Sequence, residues 1–334
     1  MKWEREGALP ASFYGRRDIL DRSTWKRLIY KYNPPELMES MDKLLQKERL
    51  TGSGITVPPT LLVAATEEDL EGFRTWTENN REGFVVKPSM GHGGAGILVV
   101  ERRVASRFIL PSGRGIGRDR IERHMGRIIL GSYSGGIPDR AIVERRLVLS
   151  RRLRELTTIG LLDIRVVVFR GFPIMAMTRL PTKRSGGRAN VHQGALAAGI
   201  SVSEGRITSA SIMRKNVRKH PRTGRNIIGF RFNMWEDILE SASSAAEAMG
   251  MGFAGVDLTV DDDLGVVVIE VNRRPGLEIQ NANRAGMRKR IQHVNRKIRK
   301  EGKELELIGP GLKVELARKW DSEGWSRHPV LEEE

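Results

Sequence analysis

The chain contains no cysteine. A disulfide framework, a Cys-ligated zinc site, an iron–sulfur cluster and thiol catalysis are therefore excluded. Aromatic residues are sparse, at 6%. Long apolar runs are also missing: no stretch of about 18 apolar residues occurs, so no segment reads as membrane-spanning. The opening MKWEREGALP is charged and lacks an apolar centre, so it does not read as a signal peptide. These features together suggest a cytoplasmic protein. Acids are outnumbered, with 41 Asp+Glu against 57 Lys+Arg, and the formal net charge is +16. That excess attracts polyanions such as nucleic acid, anionic lipid or phosphorylated ligands, without choosing among them. Apolar residues make up 39% of 334, enough for a real core.

The elements mix without strict βα alternation, which predicts an α+β fold. The spacing predicts a helix after Pro34-Pro35 that runs to about Leu50 and stops at Gly52. Ile55–Val63 reads as a connection into an edge strand. Thr66-x-x-Asp69 resembles a capping box opening a helix. Phe84–Lys87, Ile97–Glu101, Arg140–Leu149, Asp163–Phe169 and Ile174–Leu180 read as strands. A helix opens near Asn233–Glu236 and ends at Gly250. Gly252–Val260 and Gly265–Asn272 read as a hairpin, with Asp261–Asp263 a solvated turn. A last basic helix spans roughly Arg284–Lys300, its stripe of Met287, Ile291, Val294 and Ile298 docking inward. Its cations then form either a solvated face or a surface for an acidic or peptide partner.

Two segments carry chemistry. Residues 84–97 read FVVKPSMGHGGAGI. The strand ILVVE follows the glycines where a dinucleotide fingerprint requires a helix. No Lys-Ser/Thr closes the loop, so it is not a Walker loop. A strand–glycine loop–strand hairpin instead lays backbone N–H groups over phosphates, with Lys87 at its entry. Residues 253–276 read FAGVDLTVDDDLGVVVIEVNRRPG. Glu270 and Asn272 are two apart and share a strand face, and either plausible hairpin register puts Asp257 on that face. Oxygens of Asp, Glu and Asn gathered there suit Mg²⁺; a salt bridge from Glu270 to an arginine is the plainer reading.

Arg179 lies on the strand before the Thr182–Gly187 turn, where a guanidinium would stabilise transferred phosphoryl or tetrahedral oxygens; a structural salt bridge is the alternative. Arg165 shares the strand face of Asp163, either pairing with it or meeting a ligand. His192 reads as a general base or as a hydrogen-bonding residue. Arg273, Arg274 and Gln280 could hold an acceptor carboxylate. Met175 and Met177 read as core.

In this order, MDKLLQKERLTGSGITVPPT, FVVKPSMGHGGAGILVV, DIRVVVFRGFPIMAMTRLPTKRSGGRANVHQGA and GVDLTV…VIEVNRRPGLEIQNANRAG resemble ATP-grasp carboxylate–amine ligases. They are most similar to the alpha-L-glutamate ligase-like, or sugar-transfer-associated, ATP-grasp proteins. The resemblance runs from about Asn33 to Gly286. It implies two α+β subdomains gripping ATP. The expected divisions are an N-terminal arm over 1–35, subdomains over 36–142 and 143–310, and a tail over 311–334. It further implies that Lys43 and Lys87 contact phosphates or adenine. Ser89, Gly91, Gly93, Gly94 and Gly96 would close over the phosphates, with Arg188 and Asn190 also reaching them. Glu144, Arg145, Arg146 and Leu147 would form the adenine hinge, and Asp163 would bind ribose. Asp257, Glu270 and Asn272 would hold two Mg²⁺ ions, with Mn²⁺ as a substitute.

The implied reaction joins a carboxylate donor to an amine acceptor through an acyl phosphate, releasing ADP and phosphate; Arg179 and Glu270 would be catalytic. Glutamate ligation to a peptide or small molecule is one such reaction. ATP-grasp ligases usually begin with a complete α/β pre-domain, whereas only about 35 residues precede the resemblance here. Substrate recognition therefore does not carry over. A small-molecule kinase on the same fold, or a basic nucleic-acid-binding protein, is the alternative. The latter needs neither the glycine loop nor three oxygen-bearing side chains on one face, so nucleic acid is not the expected partner.

Overall fold

The computed structural model describes residues 18–36, 42–91, 93–157, 159–213 and 215–325. The parts of the expected arm before Asp18, and His92 in the glycine loop, lie outside the described residues. Helix α1 (Arg22–Tyr32) and α2 (Lys43–Gly52) come first. They are followed by β1 (Thr60–Ala64), α3 (Leu70–Asn79), β2 (Phe84–Pro88) and β3 (Leu98–Val100). Short strands β4 (Arg102–Val104), β5 (Arg107–Ile109) and β6 (Gly115–Ile116) lead into α4 (Arg118–Ile129) and β7 (Ala141–Arg145). The second half holds β8 (Asp163–Phe169), β9 (Phe172–Leu180), β10 (Leu196–Ile200), β11 (Ile207–Ile212) and β12 (Lys215–Asn216). It continues through α5 (Trp235–Ala248), β13 (Phe253–Asp261), β14 (Gly265–Asn272), α6 (Glu278–Asn283) and α7 (Arg288–Glu301). It ends with α8 (Glu304–Leu307) and α9 (Pro310–Ser322).

Two cores result. A four-stranded antiparallel sheet, ordered β1-β7-β2-β3, packs Phe84, Val86 and Val143 against Phe73 of α3 and Ile121, Met125 and Ile128 of α4. A seven-stranded antiparallel sheet, ordered β12-β11-β10-β9-β8-β13-β14, carries the larger core. Ile164, Val166, Val256 and Leu258 are fully buried on one face under α5, while Asp163, Arg165 and Asp257 point to the other. The small sheet closes with β7, which crosses the expected divide at residue 142 because Ile142 and Val143 pair with both β1 and β2.

Three expectations change. The basic helix starts at Arg288, because Arg284 takes a left-handed conformation (φ 50°) and ends α6 first. Residues after 310 do not begin as a tail: Pro310 sits in the first turn of α9, whose Val314, Ala317 and Trp320 are buried in the large core. The turn Asp261–Asp263 is not simply solvated. Asp261 is 2% exposed, accepts from the Asp263 and Leu264 N–H groups, and takes the Val148 N–H at 2.6 Å. Asp262 and Asp263 pair with Arg154 and Arg145. The reciprocal contacts expected of a capping box form, with Thr66 Oγ1 accepting from the Asp69 N–H and the Asp69 carboxylate from the Thr66 N–H at 2.9 Å, but they close the turn ahead of the helix, whose N-cap is Asp69 and whose first residue is Leu70. Among the described residues no helix is long and apolar enough to cross a membrane.

Candidate functional site

The site starts from a row of side chains across the large sheet. Strand register sets Arg179 opposite Asp163, Arg165 opposite Asp257, and Asp257 opposite Glu270. A register shift between Asp257 and Leu258 makes the last pairing possible, because Leu258 already pairs with Val268. The hairpin closes at Asp261 opposite Gly265, one position from the registers expected for a four-residue turn, which pair 260 with 265 or 261 with 266, yet the shift returns Asp257 to the face of Glu270.

The row is tightly ion-paired. Arg165 grips Asp257 with Nε–Oδ1 and Nη2–Oδ2 contacts of 2.6 Å each. Arg179 forks onto Asp163 and reaches Asp257 Oδ2 at 2.9 Å. Arg165 therefore pairs with Asp257 rather than Asp163. Burial would raise the Asp257 pKa, but Arg165 and Arg179 outweigh it and hold the carboxyl below its usual range. Asp163 receives less compensation: burial and the Asp257 charge push it up to about 6 against the pull of Arg179. The Asp163 side chain is thus occupied by Arg179, which leaves the ribose assignment without a free carboxylate there.

Asn272 Nδ2 lies 3.1 Å from Asp257 Oδ2. Turning that amide over would present its oxygen alongside the carboxylates of Asp257 and Glu270. Two carboxylates and one amide are the hard donors that Mg²⁺ takes, so the donor chemistry fits the ion. Among the described residues, no three His, Asp or Glu side chains converge on one point. Here the arginines neutralise Asp257, the role a cation would take over.

The small sheet supplies the facing wall. Lys87 on β2 and Lys47 on α2 both bind the buried carboxylate of Glu144 on β7, Lys87 at 2.8 Å. Burial alone would raise the Glu144 pKa, but the two lysines reverse it and hold the carboxyl below its ordinary range. Lys43 donates to the carbonyls of Ser89 (3.2 Å) and Gly91 (2.5 Å). Burial lowers its pKa, while Glu270 is the largest influence opposing that. Lys43 therefore stands between the glycine loop and the acidic strand.

The loop itself is held at several points. Ser89 Oγ donates to Asp42, the N-cap of α2, and the Met90 N–H donates to Asp139. Gly93, Gly94 and Gly96 all have positive φ, a conformation glycine adopts without cost. At Gly96 a Cβ would lie 2.7 Å from the Tyr133 ring, so no other residue fits. Asn190 Nδ2 reaches the Gly93 carbonyl at 3.4 Å, and Arg188 approaches Gly94. The loop, Arg188 and Asn190 are thereby brought together from different sheets.

Other expected residues fall elsewhere. The Arg145 and Arg146 N–H groups bond to Pro59 and Gly83, and the Arg145 side chain pairs with Asp263, so neither residue offers these groups to a base. Leu147 is buried. The His192 side chain is exposed; its N–H bonds to Asn190. Gln280 holds Leu20 and Met287 rather than facing the site. Met175 and Met177 are core. Lys47, Asp42 and Asp139 were not singled out from sequence. The helical spacing of Lys43 and Lys47 is the one signal that could have drawn attention to Lys47.

Two α+β units facing each other across a glycine loop and an acidic strand define an ATP-grasp fold. The model of the family "Sugar-transfer associated ATP-grasp" matches residues 23–296, and the chain belongs to that family. The chain is 25% identical over 250 residues to a probable alpha-L-glutamate ligase of Xanthomonas euvesicatoria pv. vesicatoria (strain 85-10), covering 75% of this chain and 62% of the relative. A probable alpha-L-glutamate ligase of Xanthomonas campestris pv. campestris (strain B100) matches at 25% over 75% of this chain and 63% of the relative. The chain thus spans less than two thirds of these relatives' length. Among solved structures, the VanG D-Ala:D-Ser ligase from Enterococcus faecalis aligns with a TM-score of 0.43 at 13% identity, over 84% of this chain and 61% of that one. The biotin carboxylase from Campylobacter jejuni aligns with a TM-score of 0.43 at 17% identity, over 73% and 42%.

Proposed function

We propose that the protein is an ATP-dependent carboxylate–amine ligase working through an acyl phosphate. The observation that carries this reading is the facing pair of walls. One wall has Lys43, Lys47 and Lys87 around the glycine loop; the other has Asp257, Glu270 and Asn272 beside Arg179. The first suits the phosphates of ATP and the second a divalent cation. Bound there, Mg²⁺ would supply charge neutralisation of the phosphates.

In this reading Lys43 and Lys87 neutralise and orient the phosphates, and the loop N–H groups approach them as Asn190 holds the loop toward the large sheet. A donor carboxylate attacks the terminal phosphoryl group. The new acyl phosphate carries its charge beside the Arg179 fork, and the amine then displaces phosphate. The absence of cysteine excludes a thioester between substrate and this chain. Glutamate ligation to a peptide or small molecule is the form the similarity to the Xanthomonas proteins supports.

The test is ADP release with ATP, Mg²⁺ and pools of amino acids, peptides and carboxylates, followed by product mass spectrometry. Oxygen-18 in the donor carboxylate should appear in released phosphate, one atom per turnover. Label in AMP with pyrophosphate released would instead mean adenylation. A phosphorylated substrate as the sole product would mean a kinase.

A further inference from the structure

Beside the glycine loop lies a cavity of about 310 Å³, lined by none of the residues placed in the cleft. Its floor is apolar: Leu98 of β3, Leu110 and Ile116. Its rim is cationic: Arg114 from the β5–β6 turn meets Arg120, Arg123 and Arg127 of α4. On α4 the three arginines fall at i, i+3 and i+7, so they share one helix face, where neighbouring like charges repel. Two arginines of this helix, Arg118 and the rim residue Arg123, are neutralised. Arg118 pairs with Glu78 and Glu122, and Arg123 with Asp119 at 2.7 Å. Arg114, Arg120 and Arg127 have no ion pair among the described residues. An apolar pocket with three uncompensated guanidiniums on its rim, Arg114, Arg120 and Arg127, matches an anion with an apolar body, because guanidinium forks onto phosphate or carboxylate while the body covers Leu98, Leu110 and Ile116.

The cavity also touches the loop. His124 lines it, and His124 Nε2 lies 2.7 Å from the Gly96 carbonyl. A carbonyl only accepts, so Nε2 carries the proton, which leaves Nδ1 to accept from Tyr133 Oη at 3.4 Å. Burial lowers the His124 pKa, consistent with this neutral form. Tyr133 in turn packs against Gly96. Leu98 follows the loop by two residues in the chain.

We propose that this cavity is a binding site for a small organic phosphate or carboxylate with an apolar body, and that its occupancy steadies the glycine loop through His124 and Leu98. The site is separate from the proposed ligase centre; only its effect on nucleotide handling rests on that reading. The probe is phenyl phosphate, titrated calorimetrically into the full chain, with inorganic phosphate and phenol as partial mimics. Phenyl phosphate should bind with a Kd of about 1 mM or tighter, and each partial mimic at least tenfold more weakly. The double variant Arg120→Gln with Arg127→Gln changes exposed residues only, and should lose at least tenfold in affinity with an unchanged melting temperature. Hydrogen exchange of segment 93–97 should slow several-fold when the probe binds, and this slowing should vanish in His124→Ala. No binding, binding that survives the double variant, or unchanged exchange in the wild-type chain would each overturn the proposal. The exchange readout needs no ATP, so failure of the ligase reading would show separately, as absence of ADP release.

Discussion

Arg179 on β9 forks onto Asp163 and spans to Asp257 two strands away, so one guanidinium binds two buried carboxylates. Its removal therefore has two effects. Arg179→Ala leaves both carboxylates short of their partner and should cost about 3–5 kcal/mol of stability, as breaking a buried ion pair does. Arg179→Lys keeps the charge and loses the fork. It should remain folded in urea titration and slow turnover by about 10²-fold. Wild-type turnover in Arg179→Lys would remove Arg179 from the chemistry and leave it a structural ion pair.

Asp257→Asn and Glu270→Gln each keep size and remove a charge that would face Mg²⁺. Each should lower turnover by orders of magnitude, since metal-assisted charge stabilisation is worth several kcal/mol. ATP should still bind through the lysine wall, as read by equilibrium binding of a non-hydrolysable analogue. A near-normal rate in Glu270→Gln would refute its role.

Glu144→Gln leaves Lys47 and Lys87 buried without their shared carboxylate. At pH 7 the variant should be less stable than wild type by several kcal/mol. The pKa of Glu144 is depressed on folding, so its contribution is fully present above the ordinary value of 4.5 and is lost as pH falls through the folded value. The stability gap between wild type and variant should therefore narrow below pH 4.5 in denaturant titrations. A gap independent of pH would show that packing, not charge, sets it.

With no full pre-domain before the resemblance, the N-terminal arm is expected to cover part of the cleft or to bind a partner. Its described part docks on the large sheet. Trp25 Nε1 donates to the Pro275 carbonyl at 2.7 Å, Asn33 binds Phe253 and Arg273, and Leu20 and Ile29 are buried. Trp25→Ala should then cost about 2–4 kcal/mol, seen as a lower melting temperature, through lost area and a lost hydrogen bond. An unchanged melting temperature would show that α1 is dispensable to the fold.

Strands β8, β9, β13 and β14 were legible because their apolar residues repeat with period two or run continuously between glycines. The face shared by Asp257, Glu270 and Asn272 followed from the same period. What sequence did not show is long-range pairing. Nothing near Lys47 announces that it meets Glu144, 97 positions on. The irregularity at Asp257/Leu258 leaves no composition signal, and the partner of Arg165 depended on strand order, which puts β13 rather than β9 beside it on that side. The reach of the basic helix was half legible. Its apolar stripe is buried as expected, but the Arg290 guanidinium turns inward to the Ile174 carbonyl and Asp321.

The two walls of the cleft differ in electroneutrality. On the large sheet the guanidiniums of Arg165 and Arg179 meet the carboxylates of Asp163 and Asp257, and Glu270 leaves the row with one acid more than its bases. On the small sheet two ammonium groups share the one carboxylate of Glu144, with Lys43 beside them held only by carbonyls. Buried charge left in surplus draws its counter-ion from outside the chain. That wall carries the opposite surplus to the acid row, and Lys43, on which Glu270 acts, is where the two meet.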